Sequence, residues 1–317
     1  MSHPMAKEVS DITGNAGEVR VSIITVNYKV AHLLKGLLES VEKYPPSGKW
    51  EMIVVDNASG KEDVLRLREL ERGRGNFKLI ISEENAGFSR GNNIGIARAK
   101  GDYIIFLNPD IIVEDGCLER LINHLESCVE CGIASPRVCW ADGSFQPTGR
   151  AFPNPLTGLF GRATILTKLF PNNPFTKQQL IDLKDATEPT AVDWAAGMAW
   201  AVRRSEFLEA RGWDERFFMY WEDADVAMTY KKKLGLQTHY IPSARAMHYH
   251  AESAIRLGSR ATRVFHESAY KYVVKNIYKS WFDPRRWLTW LALKLRANAI
   301  VVKNRMKGYM KLPGHRG

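Results

Sequence analysis

Strands alternating with helices predict an α/β fold: a mostly parallel nucleotide-binding sheet flanked by helices, followed by a basic helical C-terminal extension. Three observations carry this. Short β-branched apolar runs recur, segments with leucines at helical spacing separate them, and Pro or Gly stands at the junctions. Val21 to Asn27 is the first strand, Val30 to Lys43 the helix after it, and Pro45-Pro46 stops that helix. Glu51 to Asp56 is the second strand and Lys61 to Arg72 its helix. Phe77 to Ser82, a helix from Phe88 to Ala99, and a strand from Asp102 to Leu107 complete the first half. Ligands on parallel sheets bind beyond the carboxyl ends of the strands, where Asn27, Asp56 and Asp110 fall.

After a helix from Glu114 to Ser127 the pattern changes. Strand-like pieces at Gly132 to Trp140 and Ser144 to Gln146 precede a stretch, 147–190, rich in Pro, Asn and Gly, which reads as a long irregular insertion. Ala191 to Trp194 and Met198 to Val202 resume regular structure. The tail reads as helix from Tyr270 to Tyr278 and from Trp287 to Lys307. The expected division is a lead-in over 1–20, a catalytic unit over 21–255 with a nucleotide half (21–112) and an acceptor half (113–255), and a tail over 256–317.

The net charge of +10 is uneven: residues 256–317 hold 15 Lys and Arg against Glu267 and Asp283, which leaves residues 1–255 at −3. Basicity confined to the tail argues against a body that grips nucleic acid and for a tail that meets an anionic membrane surface. Trp281, Trp287 and Trp290 among those cations suit a bilayer interface, with packing on the catalytic unit or on a second copy of the chain as the competing reading. Met1 to Arg20 lacks the apolar core of an export signal, and Lys294 and Arg296 interrupt the best apolar run, so the expected location is cytoplasmic and peripheral to the membrane. Cys117, Cys128, Cys131 and Cys139 lack the two-pair spacing of a zinc site and read as reduced, buried thiols.

Two acidic elements carry the chemistry. Asn108-Pro109-Asp110 ends an apolar strand, and Trp221-Glu222-Asp223-Ala224-Asp225 ends the aromatic run Phe217 to Tyr220. A carboxylate at a strand end can hold a metal and one opening a helix can hold a reactive base, a combination suited to group transfer from a metal-bound phosphate ester. The structural alternatives are a helix cap near Asp115 for Asp110 and a helix N-terminus for Glu222 and Asp223. The glycines of Asn85 to Gly95, with Asn85, Gly87 and Asn92 among them, either permit close backbone approach to a nucleotide or allow tight helix packing.

The order of Val21-Ser-Ile-Ile-Thr-Val-Asn-Tyr28, Val55-Asp-Asn-Ala-Ser59, Asn85-Ala-Gly-Phe88, Gly91-Asn-Asn-Ile-Gly95, Leu107-Asn-Pro-Asp110, Asp193-Trp-Ala-Ala-Gly197, Gly212 to Asp225 and His248 resembles glycosyltransferase family 2, in its rhamnosyltransferase-like branch. The resemblance implies a GT-A fold and inverting transfer of a sugar, plausibly rhamnose, from a dTDP or UDP donor to a glycan or lipid-linked acceptor of the cell envelope. It implies that Asp56 accepts the imide N–H of the base, against an Asx-turn as the alternative. Asp110 matches the second Asp of an Asp-x-Asp metal element whose first position is here Asn108, and His248, with His250 as competitor, supplies another ligand to Mn2+ or Mg2+. Asp223 is the expected general base with Glu222 sharing or orienting, and Asp225 points off the reactive face toward capping. Trp194, Gly197 and Trp221 border the sugar or acceptor pocket, with packing as the alternative. The rival functions are nucleotidyl transfer, disfavoured because no phosphate loop follows the first strand, and a non-catalytic membrane or nucleic-acid binding module built on the tail.

Overall fold

The computed structural model describes residues 19–153, 181–249, 259–278 and 280–306. The strands form where β-branched runs were expected. Strand β1 (Val21–Asn27) lies between β2 (Trp50–Asp56) and β4 (Tyr103–Leu107), and β2 continues to β3 (Phe77–Ile81), all in parallel. Beyond β4 the sheet becomes mixed. β11 (Ala199–Arg203) runs antiparallel between β4 and β6 (Cys131–Trp140). β12 (Gln237–His248) then pairs parallel to β6 and antiparallel to β5 (Ile111–Val113) and β9 (Thr190–Val192). β7 (Phe145–Gln146) pairs antiparallel with the end of β6, and β8 (Gly149–Arg150) pairs with β10 (Trp194–Ala195) as a separate ribbon.

Strand alternation divides the core in two, because successive side chains point to opposite faces. Ile23, Val54, Ile105 and Ala201 face α1 (Ala31–Lys43) and α4 (Cys117–Ser127), packing on Leu34, Leu37, Leu118 and Leu121. Ile24, Val55, Phe106 and Val202 face the other way. There they meet α3 (Gly87–Ile96), α5 (Arg204–Glu209) and Trp213, whose indole stacks on Trp200 at 5.4 Å and meets Phe106 edge-on at 5.2 Å. The remaining helices are α2 (Lys61–Glu71), α6 (Glu222–Thr229), α7 (Ser259–Asn276) and α8 (Arg285–Met306).

Several expectations are corrected. Asp110 caps no helix: β5 follows it directly, and α4 begins at Cys117 after Gly116, whose φ of 64° glycine adopts without strain. Sequence patterning missed β12, since Pro242 falls inside it; the ladder accommodates the proline by a register shift between Ile241 and Arg245. Most of the expected insertion, and His250, lie outside the described residues.

The first tail helix begins eleven residues earlier than its pattern suggested, at Ser259, and belongs to the packed body. Its Tyr272 is buried with Phe217 and Ala224, and Lys275 Nζ reaches Asp225 at 2.6 Å and Asp214 at 2.8 Å, while Asn276 donates to Asp225 at 2.8 Å. Asp225 is therefore an interhelical anchor rather than a cap. Burial alone would raise the Asp214 carboxyl, but hydrogen bonds from Arg216 and Lys275 outweigh it and hold the group below the ordinary aspartate range.

Asn93 on α3 ties the two halves of the chain together. Its amide donates to the Trp213 carbonyl at 2.9 Å and to Glu215 at 3.0 Å, and its carbonyl accepts from the Trp213 N–H at 3.1 Å. Asn93→Leu strands both main-chain groups of Trp213 in the core, each costing about 1–3 kcal/mol. Urea denaturation should therefore show a loss of about 2–5 kcal/mol, and a loss below about 1 kcal/mol would show that the latch contributes little.

Candidate functional site

The sequence-predicted residues gather along one edge of the sheet. Asn27 and Asp56 are register partners at the carboxyl ends of β1 and β2. Asn108 continues β4, and its N–H donates to the Met198 carbonyl at 2.8 Å, so the segment leading into β11 lies beside the Asn-Pro-Asp turn. Gly197, one residue earlier, donates its N–H to Asp223 Oδ2 at 3.2 Å. Asp110 and Asp223, far apart in sequence, thus approach the same edge through one pair of strands.

At this edge Asp110 and His248 meet. Both are buried, and Nε2 of His248 lies 3.1 Å from Oδ2 of Asp110. β12 ends at His248 in register with Ile111, and the N–H of Tyr249 donates to the Asp110 carbonyl at 2.8 Å. Nδ1 of His248 donates to Gln146 Oε1 at 3.1 Å, and Trp140 stacks on the ring at 5.4 Å. With the Nδ1 proton committed to Gln146, the lone pair of Nε2 faces the carboxylate, and two electron-rich atoms at that separation require a proton or a cation between them. Oxygen and imidazole donors together fit Mn2+ or Mg2+. Sequence reasoning placed Trp140 and Gln146 in strand-like pieces but missed them as site residues, because their contacts with His248 span 108 and 102 positions and leave no local signal.

The Glu222 and Asp223 carboxylates are set by strain. Tyr220 and Trp221 both have φ of 70°, a conformation costing a non-glycine residue about 1–2 kcal/mol each. The turn is clamped from both sides. Phe88 N–H on α3 donates to the Phe218 carbonyl at 2.7 Å, Ser268 Oγ on α7 donates to the Met219 carbonyl at 2.9 Å, and Trp221 packs on Phe265 and Tyr272. Gly87 is glycine because a Cβ there would lie 2.3 Å from the Phe218 oxygen. α6 then opens with Glu222 buried and Asp223 partly open.

Burial raises both carboxyls. For Glu222 the neighbouring Asp223 charge adds to it, and Oε2 finds no partner among the described residues. For Asp223, N–H donation from Ala224 and Gly197 and the Arg150 guanidinium pull the other way without cancelling the rise. Such an environment suits Glu222 to keep its proton and Asp223 to exchange one.

Other predicted residues turn their polar groups inward. Asp56 accepts from Asn27 Nδ2 at 2.7 Å and from the Ser59 N–H at 3.1 Å, so the Asx-turn exists. Asn27 also donates to Ser59 Oγ at 3.0 Å and accepts from Val30 N–H. Asn85 accepts from the Gly87 N–H at 3.1 Å and Asn92 donates to the Phe88 carbonyl at 3.0 Å, both within the start of α3. Gly91 and Gly95 bring α3 against Val26 and Ile24 of β1, which is helix packing. Trp194 donates its indole N–H to the Ala151 carbonyl at 3.0 Å, and Arg150, another residue missed in the sequence, lies 5.3 Å over its ring.

Comparison with known proteins finds similarity in sequence and in fold. The model of glycosyl transferase family 2 matches residues 22–181. The N-acetylglucosaminyl-diphospho-decaprenol L-rhamnosyltransferase of Mycobacterium tuberculosis is 29% identical over 237 residues, covering 71% of this chain and 76% of that protein. Rhamnosyltransferase WbbL of Escherichia coli K12 is 30% identical over 266 residues, covering 80% and 93%. GalNAc-T7, solved with UDP, GalNAc and Mn2+, has a TM-score of 0.55 at 15% identity over 94% of this chain and 59% of its own. Staphylococcus aureus TarS, residues 1–349, has a TM-score of 0.52 at 15% identity over 91% and 88%. At that identity the two structures speak to the fold alone.

Arg150 favours the charged form of Asp223, so removing it should raise the carboxyl further. In carbon-detected NMR titrations, Arg150→Gln should move the Asp223 midpoint to higher pH than in the parent chain. An unchanged or lowered midpoint would show that the guanidinium does not act on this carboxylate.

Proposed function

The chain belongs to glycosyltransferase family 2 and has a GT-A fold, and from that premise we propose that it is an inverting rhamnosyltransferase, using a dTDP-linked or UDP-linked donor and a glycan or lipid-linked hydroxyl as acceptor. The observation that carries this reading is the meeting of Asp110 with His248 at 3.1 Å on the edge that also holds Asp223. Two rhamnosyltransferases among the relatives, each matching over more than two thirds of this chain, support the choice of sugar.

In this proposal Asp110 and His248 hold Mn2+ or Mg2+, with Gln146 and Trp140 fixing the imidazole. When bound, the ion neutralises the diphosphate of the leaving nucleotide. Asp56, held by Asn27, offers carboxylate lone pairs to the imide N–H of uracil or thymine, and Asn108, with the backbone shaped by Asn85, Gly87 and Asn92, borders the donor. Asp223 takes the proton from the acceptor hydroxyl as that oxygen attacks the anomeric carbon. Glu222, its carboxyl raised by burial and by the Asp223 charge, orients the acceptor, while Trp194, Gly197 and Trp221 form the wall behind. Gly197 is tight because a Cβ there would lie 3.2 Å from the Asp223 Cβ.

The catalytic unit in this reading extends through α7, and α8 lies against it with Ala297 and Val301 buried and Thr289 hydrogen-bonded to Tyr278 at 2.6 Å. α8 leaves Trp287, Leu288, Leu291 and Leu295 exposed, and Trp281 and Phe282 just before it are 76% and 89% exposed. Arg286 lies over Trp281 at 4.7 Å and Lys294 over Trp290 at 4.4 Å. Aromatic and aliphatic groups interleaved with cations suit the surface of an anionic membrane, where a lipid-linked acceptor is held. Among the described residues no helix is long and apolar enough to cross a membrane.

Three measurements test the proposal. Asp223→Asn should lower transfer about 10²–10⁴-fold with nucleotide-sugar binding retained, whereas Asp110→Ala should weaken Mn2+ and donor binding together in calorimetry. Near-parental turnover in Asp223→Asn removes it as the base. Deleting residues after Phe282 should leave a folded chain that has lost most of its salt-sensitive affinity for anionic vesicles, at roughly 1 kcal/mol per basic residue near the surface. Aggregation or loss of a defined dimer would instead make α8 a protein interface.

A further inference from the structure

The tertiary fold assembles a second set of metal donors at the other end of β12, on the face covered by α4. His124 stands in the last turn of α4 and Cys128 is the residue that caps it, its N–H bonded to the His124 carbonyl at 2.9 Å. His239, near the start of β12, comes to them across the helix–sheet interface. His124 Nε2 lies 2.9 Å from His239 Nδ1, and Cys128 Sγ lies 4.0 Å from the same nitrogen. All three donor atoms fall within 4.8 Å of one another, and all three residues are half-buried.

We propose that His124, Cys128 and His239 bind a zinc ion that clips α4 to β12, a site separate from the Asp110–His248 pair. Soft thiolate with two imidazoles selects zinc over magnesium or manganese. Zinc bonds of about 2.0–2.1 Å to nitrogen and 2.3 Å to sulfur, in a tetrahedral arrangement, require donor separations of about 3.3–3.6 Å. The observed 2.9 and 4.0 Å lie on either side of that range and the whole set falls within 4.8 Å, so the side chains would have to rotate to close on an ion.

Three further features favour an ion. The two imidazole nitrogens that face each other share one proton, and a cation displacing it would meet a lone pair from each ring. Gln237 Oε1 stands 3.4 Å from His239 Nε2, on the side that fixes Nδ1 toward the cluster, as an outer partner of a metal-bound histidine does. The carbonyl end of α4 also favours positive charge. A water would supply the fourth ligand on the open side.

The Cys-x-x-Cys pair divides between two roles. Cys131 directs its sulfur to the Ile133 carbonyl at 3.4 Å, and burial pushes its thiol up to about 12, so it belongs to the core. Cys128 alone turns to the histidines.

The test uses the full chain, stripped with a chelator and titrated with Co2+ and then Zn2+. One equivalent of Co2+ should produce a thiolate-to-cobalt charge-transfer band that one equivalent of Zn2+ abolishes. The band should vanish in Cys128→Ser, weaken at least tenfold in apparent affinity in His239→Gln, and persist in Asp110→Ala. Absence of the band in the folded parent chain overturns the proposal without any variant. A band that survives Cys128→Ser, or one lost in Asp110→Ala, assigns the ion elsewhere and overturns it equally.

Discussion

The antiparallel pairing of β11 with β4 is the constraint on which the site depends. It sets Ala199 opposite Leu107 and lets Asn108 bond Met198, so the Asn-Pro-Asp turn and the approach to Gly197 lie side by side. Gly197 then holds Asp223 through one backbone hydrogen bond. The placing of Asp110 and Asp223 at one edge follows from that register. A slip of one residue would exchange the faces of β11, putting Trp200 and Val202 on the wrong core.

The strained turn at Tyr220 and Trp221 shows how such a site is kept in place. Its backbone conformation is unfavourable by itself, and the compensating contacts come from α3, through Phe88, and from α7, through Ser268, Phe265 and Tyr272. The tail's first helix therefore supports the candidate active site, with Lys275 bonded to an Asp225 carboxylate two residues from Asp223. Burial raises Glu222 and Asp223, and the same packing that excludes water keeps their geometry fixed.

β12 carries two donor sets of different chemistry. At its end His248 meets a carboxylate, the harder of the two sets; at its start His239 meets a thiol and a second imidazole, a softer set. The strand thereby links the mouth of the sheet to the helix α4 on its flank, and its proline-bearing bulge lies between the two.

The sequence by itself determined the parallel half. Strands β1 to β4 and helices α1 to α3 fall within a few residues of expectation, because periodicity and Pro or Gly punctuation are local signals. The identities of Asp110, His248 and Asp223 were legible as motif residues, and the helical packing of Gly91 and Gly95 stood as one of two readings. What sequence could not state was which groups meet. Gln146 against His248, Asn93 against Trp213, and His239 against His124 and Cys128 each join residues from 102 to 120 positions apart. Such contacts leave no periodic trace. They arise only when antiparallel pairing and a bulge set the register of the mixed half, where burial, not local propensity, selects the strand.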